Sequence, residues 1–409
     1  MKFFSTEILA KNTFITILAK SAILLANFLI VVVTTHLWGS SGRGEIALII
    51  ANIAIITILS NITCGSTIAF YAPKEDRDSL LVIALAGAFV MSLFGSLIFS
   101  LSVGFSYFKD LFIISLLSSL TGSVSLYWLG KSNIKLYNLF TLINPVFILF
   151  YLLGFYYIFK ITNINACFYA YYAGLGTVLI AGIVSLIRTA PFRVPRIHFG
   201  DLKKIVKYGF NNEFSYFIQF LNYRLSYFFI AKLLGLSQLG VFSIAVSCAE
   251  AVWIISKSMS ALHFSYVINT PDQNNSISAT TVFARQSFWI SLLCLGILVI
   301  QPTSLFEYVF GSGFGNIKTY LIWLLPGIIV MAVSNLHGHY FAGVGKLNIL
   351  ITKSIIGLIV TLLLLTLLTK KYQLAGVCIS LNVSYLLSSF YLFYKFWKEK
   401  KLLRVKPFG

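Results

Sequence analysis

The side chains with chemistry to offer are few, and most stand in stretches that lipid would tolerate only without them. Arg224 lies in FLNYRLSYFF (220–229), among aromatic and aliphatic neighbours. An arginine at the centre of a membrane-crossing helix costs about 2.5–3.5 kcal/mol on insertion scales, so a charge there needs a counter-ion or an anionic ligand. Glu250 is the natural counter-ion. Arg224 is eleven residues before Gly235 and Glu250 ten residues after Gly240. Antiparallel neighbouring helices rising about 1.5 Å per residue therefore bring the two charges to one depth. Phe217, Phe220 and Phe228 flank the arginine and offer cation–π contact. Two readings stand side by side: an Arg224–Glu250 pair that serves structure, and an Arg224 that faces a ligand.

Two polar stripes extend the pattern. Asn12, Thr16, Lys20, Asn27 and Thr34 recur at helical spacing on one face, and Asn211, Ser215, Gln219, Asn222 and Ser226 do the same. Stripes of this kind line a hydrated cavity, or they bond neighbouring helices to one another. Lys20 either joins the cavity or snorkels to the membrane surface. Ser243, Ser247, Glu250 and Lys257 share a further face. Glu250 is there the candidate for exchanging a proton or sodium ion, unless ion pairing accounts for it. His337 and His339 in NLHGHYF fall on different faces of a helix without an accompanying Cys or carboxylate, which argues against a metal site. No nucleotide-binding loop, nucleophile elbow or zinc-protease motif occurs, so neither catalysis nor a cofactor is expected.

The elements that must carry these residues follow from composition. Mean hydropathy is +0.88, 58% of residues are hydrophobic and 11% are charged, against roughly 25% in soluble chains, which makes an all-α polytopic membrane protein. The net charge of +19 does not point to nucleic acid, because the basic residues cluster between apolar segments and at the C-terminal end. Cys64, Cys167, Cys248, Cys294 and Cys378 show no paired spacing, and no cleavable leader is expected. A ruler of about 20 apolar residues gives twelve segments: 12–38, 45–71, 79–103, 111–130, 138–159, 165–187, 206–234, 240–268, 286–309, 319–341, 348–369 and 374–397. The expected plan is an N-terminal six-helix bundle (1–190), a cytoplasmic linker (191–204), a second six-helix bundle (205–397) and a basic tail (398–409). Both termini are expected in the cytoplasm, since Lys and Arg concentrate on that side.

The halves are similar to each other. LWGSSGRG (37–44) follows the first segment and LLGLSQLG (233–240) the seventh, pairing Gly39 with Gly235 and Gly44 with Gly240. YWLGKSNIK (127–135) matches YFAGVGKLN (340–348) at the equivalent later place. Six crossings per half make the repeats parallel, with a pseudo-two-fold axis along the membrane normal and a central cavity between the bundles as the expected substrate site.

Twelve segments in two halves, with LWGSSGRGEIAL after the first and NYRLSYFFIAKLLGLSQLGVFSIA across the seventh and eighth, resemble the Wzx-like polysaccharide flippases of the multidrug, oligosaccharidyl-lipid and polysaccharide exporter superfamily. The resemblance covers essentially the whole chain, through loose motifs. It implies a flippase that carries an undecaprenyl-diphosphate-linked oligosaccharide across the bacterial inner membrane by alternating access, for O-antigen or related surface polysaccharide. It also implies a polymerase or chain-length regulator as partner. Lys20, Asn27, Gln219, Asn222, Arg224 and Ser226 would then contact the charged glycan head. Many members place an aspartate where this chain has Ser226, which removes a carboxylate from that helix. A multidrug/cation antiporter of the same superfamily is the alternative. A polytopic enzyme of polysaccharide assembly is the rival of a different class, although the long charged outer loop expected of it is missing.

Overall fold

A computed structural model describes residues 6–192, 199–270 and 272–405, and their side chains except at 6–17, 199–201, 211, 212, 215, 254, 255, 261, 262, 265, 269 and 403–405. Twelve α-helices follow one another: α1 (Thr6–Ser60), α2 (Gly65–Tyr71), α3 (Arg77–Val103), α4 (Phe108–Gly130), α5 (Ile134–Leu153), α6 (Asn165–Ile187), α7 (Phe199–Leu233), α8 (Leu236–Asn269), α9 (Gln273–Ile300), α10 (Thr303–Phe310), α11 (Ile317–Gly343) and α12 (Leu347–Val405). Among the described residues, nine helices are long and apolar enough to cross a membrane. The protein is thus an all-α polytopic membrane protein. Two of the nine are double-length rods, each broken once. Gly39 breaks α1 at φ 61° and Gln373 breaks α12 at φ 50°. The left-handed backbone suits the glycine without strain, whereas Gln373 adopts it against its own preference.

Several helix ends differ from those read from hydropathy. α9 begins at Gln273 rather than near 286, because Asp272 caps it by accepting from the Asn274 N–H at 2.9 Å. The polar first turns QNNSISATT carry no hydropathy signal, yet they are helical. At its other end the segment stops at Ile300. Pro302, which lacks an N–H and disfavours a helical residue before it, precedes the short α10. The segment expected at 45–71 is divided likewise, with turns at Asn61–Cys64 between α1 and α2.

The chain divides into two compact units, one of Met1–Trp38 with Ile49–Phe217, the other of Gly39–Leu48 with Ile218–Gly409. The first unit has a core of Cys64, Ile68, Leu80, Ala84, Tyr127 and Trp128, and a second cluster around Ile56, Leu111 and Phe168. Arg77 closes the C-terminal end of α6. Its guanidinium donates to the carbonyls of Leu186, Ala190 and Pro191 at 2.9–3.0 Å, while its Nε donates to Asp78 at 2.6 Å. Carbonyls at a helix C-terminus have no helical donor of their own, so a cation there is stabilising.

In the second unit α11 packs on α8 and α12. The side chain of Asn382 on α12 is inserted into the backbone ladder of α11. In an unbroken helix the Gly327 N–H would bond the Trp323 carbonyl. Here Gly327 N donates instead to Asn382 Oδ1 at 2.9 Å, and Asn382 Nδ2 donates to the Trp323 carbonyl at 2.5 Å. The neighbouring Pro326 opens the ladder, because its ring removes one bond and crowds the preceding turn. Asn382→Ala leaves both backbone groups without a partner and is expected to cost about 1–3 kcal/mol. Thermal unfolding of the purified variant measures it, and an unchanged midpoint would mean that the helix recloses on itself.

Candidate functional site

Arg224 and Glu250 meet in the second unit. Nη1 and Nη2 of the arginine donate to Oε1 and Oε2 of the glutamate, each at 2.8 Å, in a parallel two-bond fork. The side chains are 23% and 22% exposed. α7 and α8 run antiparallel through the turn at Gly235, which sets equal depths for residues equally distant from that turn. The guanidinium also lies 5.1 Å from the centre of the Tyr227 ring. Tyr223, Trp253 and Tyr385 form an aromatic wall, with Tyr223–Trp253 centroids 5.3 Å apart and Trp253–Tyr385 centroids 6.2 Å apart. Trp253 is fixed in turn by donating from Nε1 to the Ile328 carbonyl at 2.9 Å. This surrounding lowers the local dielectric, which makes the charge-assisted fork a strong interaction.

The opposite face of α7 looks to α12. Gln219 Oε1 accepts from Ser354 Oγ at 2.9 Å, and Asn222 Oδ1 accepts from Thr361 Oγ1 at 2.6 Å and from Ser384 Oγ at 3.3 Å. Asn222 and Ser226 are buried. In this structure, therefore, Gln219 and Asn222 bond helices within one unit, whereas the buried Ser226 hydroxyl has no hydrogen-bond partner among the described residues. Sequence reading supplied the α7 stripe but not its partners, although the serines of SLNVSYLLSS on α12 were a signal of a bonding face.

Lys20 and Asn27 are exposed on α1 in the first unit, and Lys257 is exposed on α8 with its Nζ 5.9 Å from the Trp253 ring centre. The stripe members Asn12, Thr16, Asn211 and Ser215 lie outside the described side chains, as does the centre of the expected linker at 193–198. An apolar cavity of about 290 Å³ in the first unit, lined by Leu81, Leu85, Val124, Leu179 and Ile183, also has Arg77 and Asp78 in its lining. Both charges are engaged with each other, so the cavity offers no free charge to a polar cargo.

Two glycines carry the α1–α8 crossing. A Cβ on Gly44 would fall 1.8 Å from the Leu236 carbonyl oxygen, and one on Gly240 would fall 1.9 Å from that of Ser40. Ser40 and Ser237 hydroxyls bond beside them at 2.7 Å. Small residues spaced in this way let two backbones touch, which is how helices associate where lipid supplies no hydrophobic drive.

A family model described as polysaccharide biosynthesis protein matches residues 166–312, about a third of the chain. No curated protein matches the sequence. Among solved structures, an inward-facing multidrug resistance MATE family transporter of the MOP superfamily superposes with a TM-score of 0.75, at 13% identity, over 93% of this chain and 95% of that one. The fold is that of the MATE transporters. The MATE multidrug transporter DinF-BH, solved in complex with rhodamine 6G, gives a TM-score of 0.71 at 14% identity over 98% of both chains. A MOP superfamily transporter from Pyrococcus furiosus, whose reversed pocket polarity is reported to suggest a different function, gives 0.67 at 14% over 97% of this chain and 96% of that one.

The solved structures that share this fold are named as transporters. This likeness also corrects the flippase expectation. Structures named as multidrug transporters share the fold nearly from end to end, while the polysaccharide model reaches residues 166–312 alone. The lipid-linked oligosaccharide cargo, the O-antigen role and the polymerase or chain-length partner are set aside with it. Association with the bilayer stands. The physical reason is that the resemblance rested on hydropathy, repeat layout and glycine-marked turns. These features specify how helices cross and pack, and they say little about what passes between them.

Proposed function

We propose that this chain is an exporter of the inner membrane that works by alternating access and moves amphipathic organic solutes, cations among them, in exchange for a proton or sodium ion. The near end-to-end likeness to MATE multidrug transporters is the observation that carries this reading. On this view α1 and α12 each contribute two crossings, divided at Gly39 and Gln373, and α7 joins the seven single-length spans, which gives twelve in two sets of six with both termini cytoplasmic. Glu250 takes the coupling role: the ion that enters competes with Arg224 for the carboxylate, and the freed guanidinium changes the packing of α7 on α8. Lys20, Asn27 and Lys257 are the exposed polar groups available to cargo. Gln219 and Asn222 would join them once their hydrogen bonds within the unit open, together with the buried Ser226.

A second reading, an amphipathic anion as cargo, is favoured by one observation. The mid-helix carboxylate Glu250 is already held by Arg224, while Lys20 and Lys257 are exposed cations. One experiment serves both. Purified protein in liposomes is given an imposed proton or sodium gradient, and movement of rhodamine 6G is followed beside that of an anionic dye. Gradient-driven rhodamine movement that Glu250→Gln abolishes is the expected outcome. Movement of the anionic dye alone would replace the first reading by the second, and movement of neither would end both.

A further inference from the structure

Past the apolar run read as ending at residue 397, α12 continues as helix to Val405, and the two faces of its last turns differ. Leu392, Phe396 and Glu399 are buried, whereas Tyr394, Trp397 and Leu402 are half or more exposed. Glu399 fixes the roll of this extension, because its carboxylate accepts from Lys346 and from Gln273 Nε2, the latter at 3.1 Å. Gln273 is the first residue of α9, so the latch ties the extension to the start of that helix. The next residue on the extension, Lys400, then closes a pocket of about 250 Å³ whose other walls are Asn274, Ile277, Ser278, Thr281 and Val282 of α9. Asn274, Ser278 and Thr281 recur at helical spacing and offer an amide and two hydroxyls to the space that Lys400 faces.

We infer that this pocket binds the phosphate of an anionic phospholipid, with Lys400 as the charged contact and Asn274 and Ser278 as hydrogen-bond donors. Two features select a lipid over a free anion, and a third adds charge for either. Exposed Val282, Trp289 and Leu293 recur along one face of α9 from the pocket, interrupted by exposed Arg285 and Gln286, and beyond these Trp289 and Leu293 offer apolar surface where an acyl chain would lie. Exposed Tyr394 and Trp397 mark the headgroup level, the depth that amphipathic rings prefer. Lys401, with its Nζ 5.5 Å from the Trp397 ring centre, adds a second cation beside the first. The nearby carboxylates are engaged elsewhere: Asp272 accepts from the Asn274 N–H, and Glu399 is held by Lys346 and Gln273. A lysine next to a negatively charged leaflet contributes about 1 kcal/mol, a factor of about five in affinity. This inference does not depend on what the protein transports.

Native mass spectrometry of the delipidated full chain, titrated with phosphatidylglycerol, phosphatidylcholine or inorganic phosphate, tests it. Phosphatidylglycerol should be retained in preference to phosphatidylcholine. Lys400→Gln should weaken phosphatidylglycerol binding about fivefold and leave phosphatidylcholine unchanged. Lys400→Arg should keep the preference, and Ser278→Val should reduce it without loss of charge. Equal retention of phosphatidylglycerol by wild type and Lys400→Gln would overturn the assignment. Displacement of the lipid by millimolar inorganic phosphate would identify a free-anion site instead, and would overturn it equally.

Discussion

Gly44→Ala and Gly240→Ala should each destabilise the second unit by about 3 kcal/mol or more, at or beyond the top of the usual range for overpacking. The reason is the identity of the atoms in the way. Each new methyl meets a backbone carbonyl, Leu236 O at 1.8 Å or Ser40 O at 1.9 Å, and a carbonyl within a helix cannot rotate aside as a side chain would. The crossing must widen instead, which also separates the Ser40–Ser237 hydroxyl pair. Gly296→Ala is the control. Its Cβ meets nothing within 4 Å on α9, so the change should be neutral or raise stability by up to about 1 kcal/mol through helix propensity. Midpoints of thermal unfolding in one detergent compare the three variants. If Gly44→Ala unfolds no earlier than Gly296→Ala, the close crossing is not a feature of the protein in solution. The double variant Gly44→Ala/Gly240→Ala should cost much less than the sum of the singles, since the first substitution already opens the space that the second needs.

Neutralising one member of the Arg224–Glu250 fork comes next in size. Removing one partner of a fully buried pair costs about 3–5 kcal/mol, chiefly because the other charge is left in a poor solvent. Both side chains here retain about a fifth of their exposure, so about 2–3 kcal/mol is expected for Glu250→Gln or Arg224→Gln. Replacing both by methionine should recover most of that loss, because desolvation of the two charges offsets much of their attraction. A double-mutant cycle on chemical denaturation reads the coupling directly. A coupling below about 0.5 kcal/mol would mean that water already separates the two groups in the folded protein. The same Glu250→Gln protein enters the liposome assay described above, so stability and ion coupling can be told apart: an unfolded variant fails in both measurements, a folded but uncoupled one in transport alone.

The sequence determined the architecture at the level of single helices. Apolar runs of membrane-crossing length, breaks at Gly39 and Gly235, and the polar face of α7 are local properties. Periodicity and hydropathy report them because each residue's preference is felt within a turn or two. The matching depth of Arg224 and Glu250 was also legible, since a tight turn between antiparallel helices makes depth a matter of counting. Helix ends beyond the membrane were not. The first turns of α9 and the extension of α12 are polar helix, held by the Asp272 cap and the Glu399 latch, and hydropathy is blind to both.

Choice of partner was decided by tertiary structure. Repeat comparison matched Gly44 with Gly240 as equivalents, but their direct contact follows from how two helices cross. The stripe of Gln219, Asn222 and Ser226 predicted either a wet face or a bonding face; the hydroxyls of Ser354, Thr361 and Ser384 brought opposite by α12 made bonding groups of Gln219 and Asn222, while Ser226 is buried without a hydrogen-bond partner among the described residues. Asn382 acts on α11 from another helix, 55 residues from Gly327, by replacing a bond that α11 would otherwise make with itself. Nothing within either helix encodes that exchange. Hydrogen bonding and steric contact between helices depend on atoms brought within about 3 Å, and sequence spacing fixes such distances within a helix but leaves them free between helices.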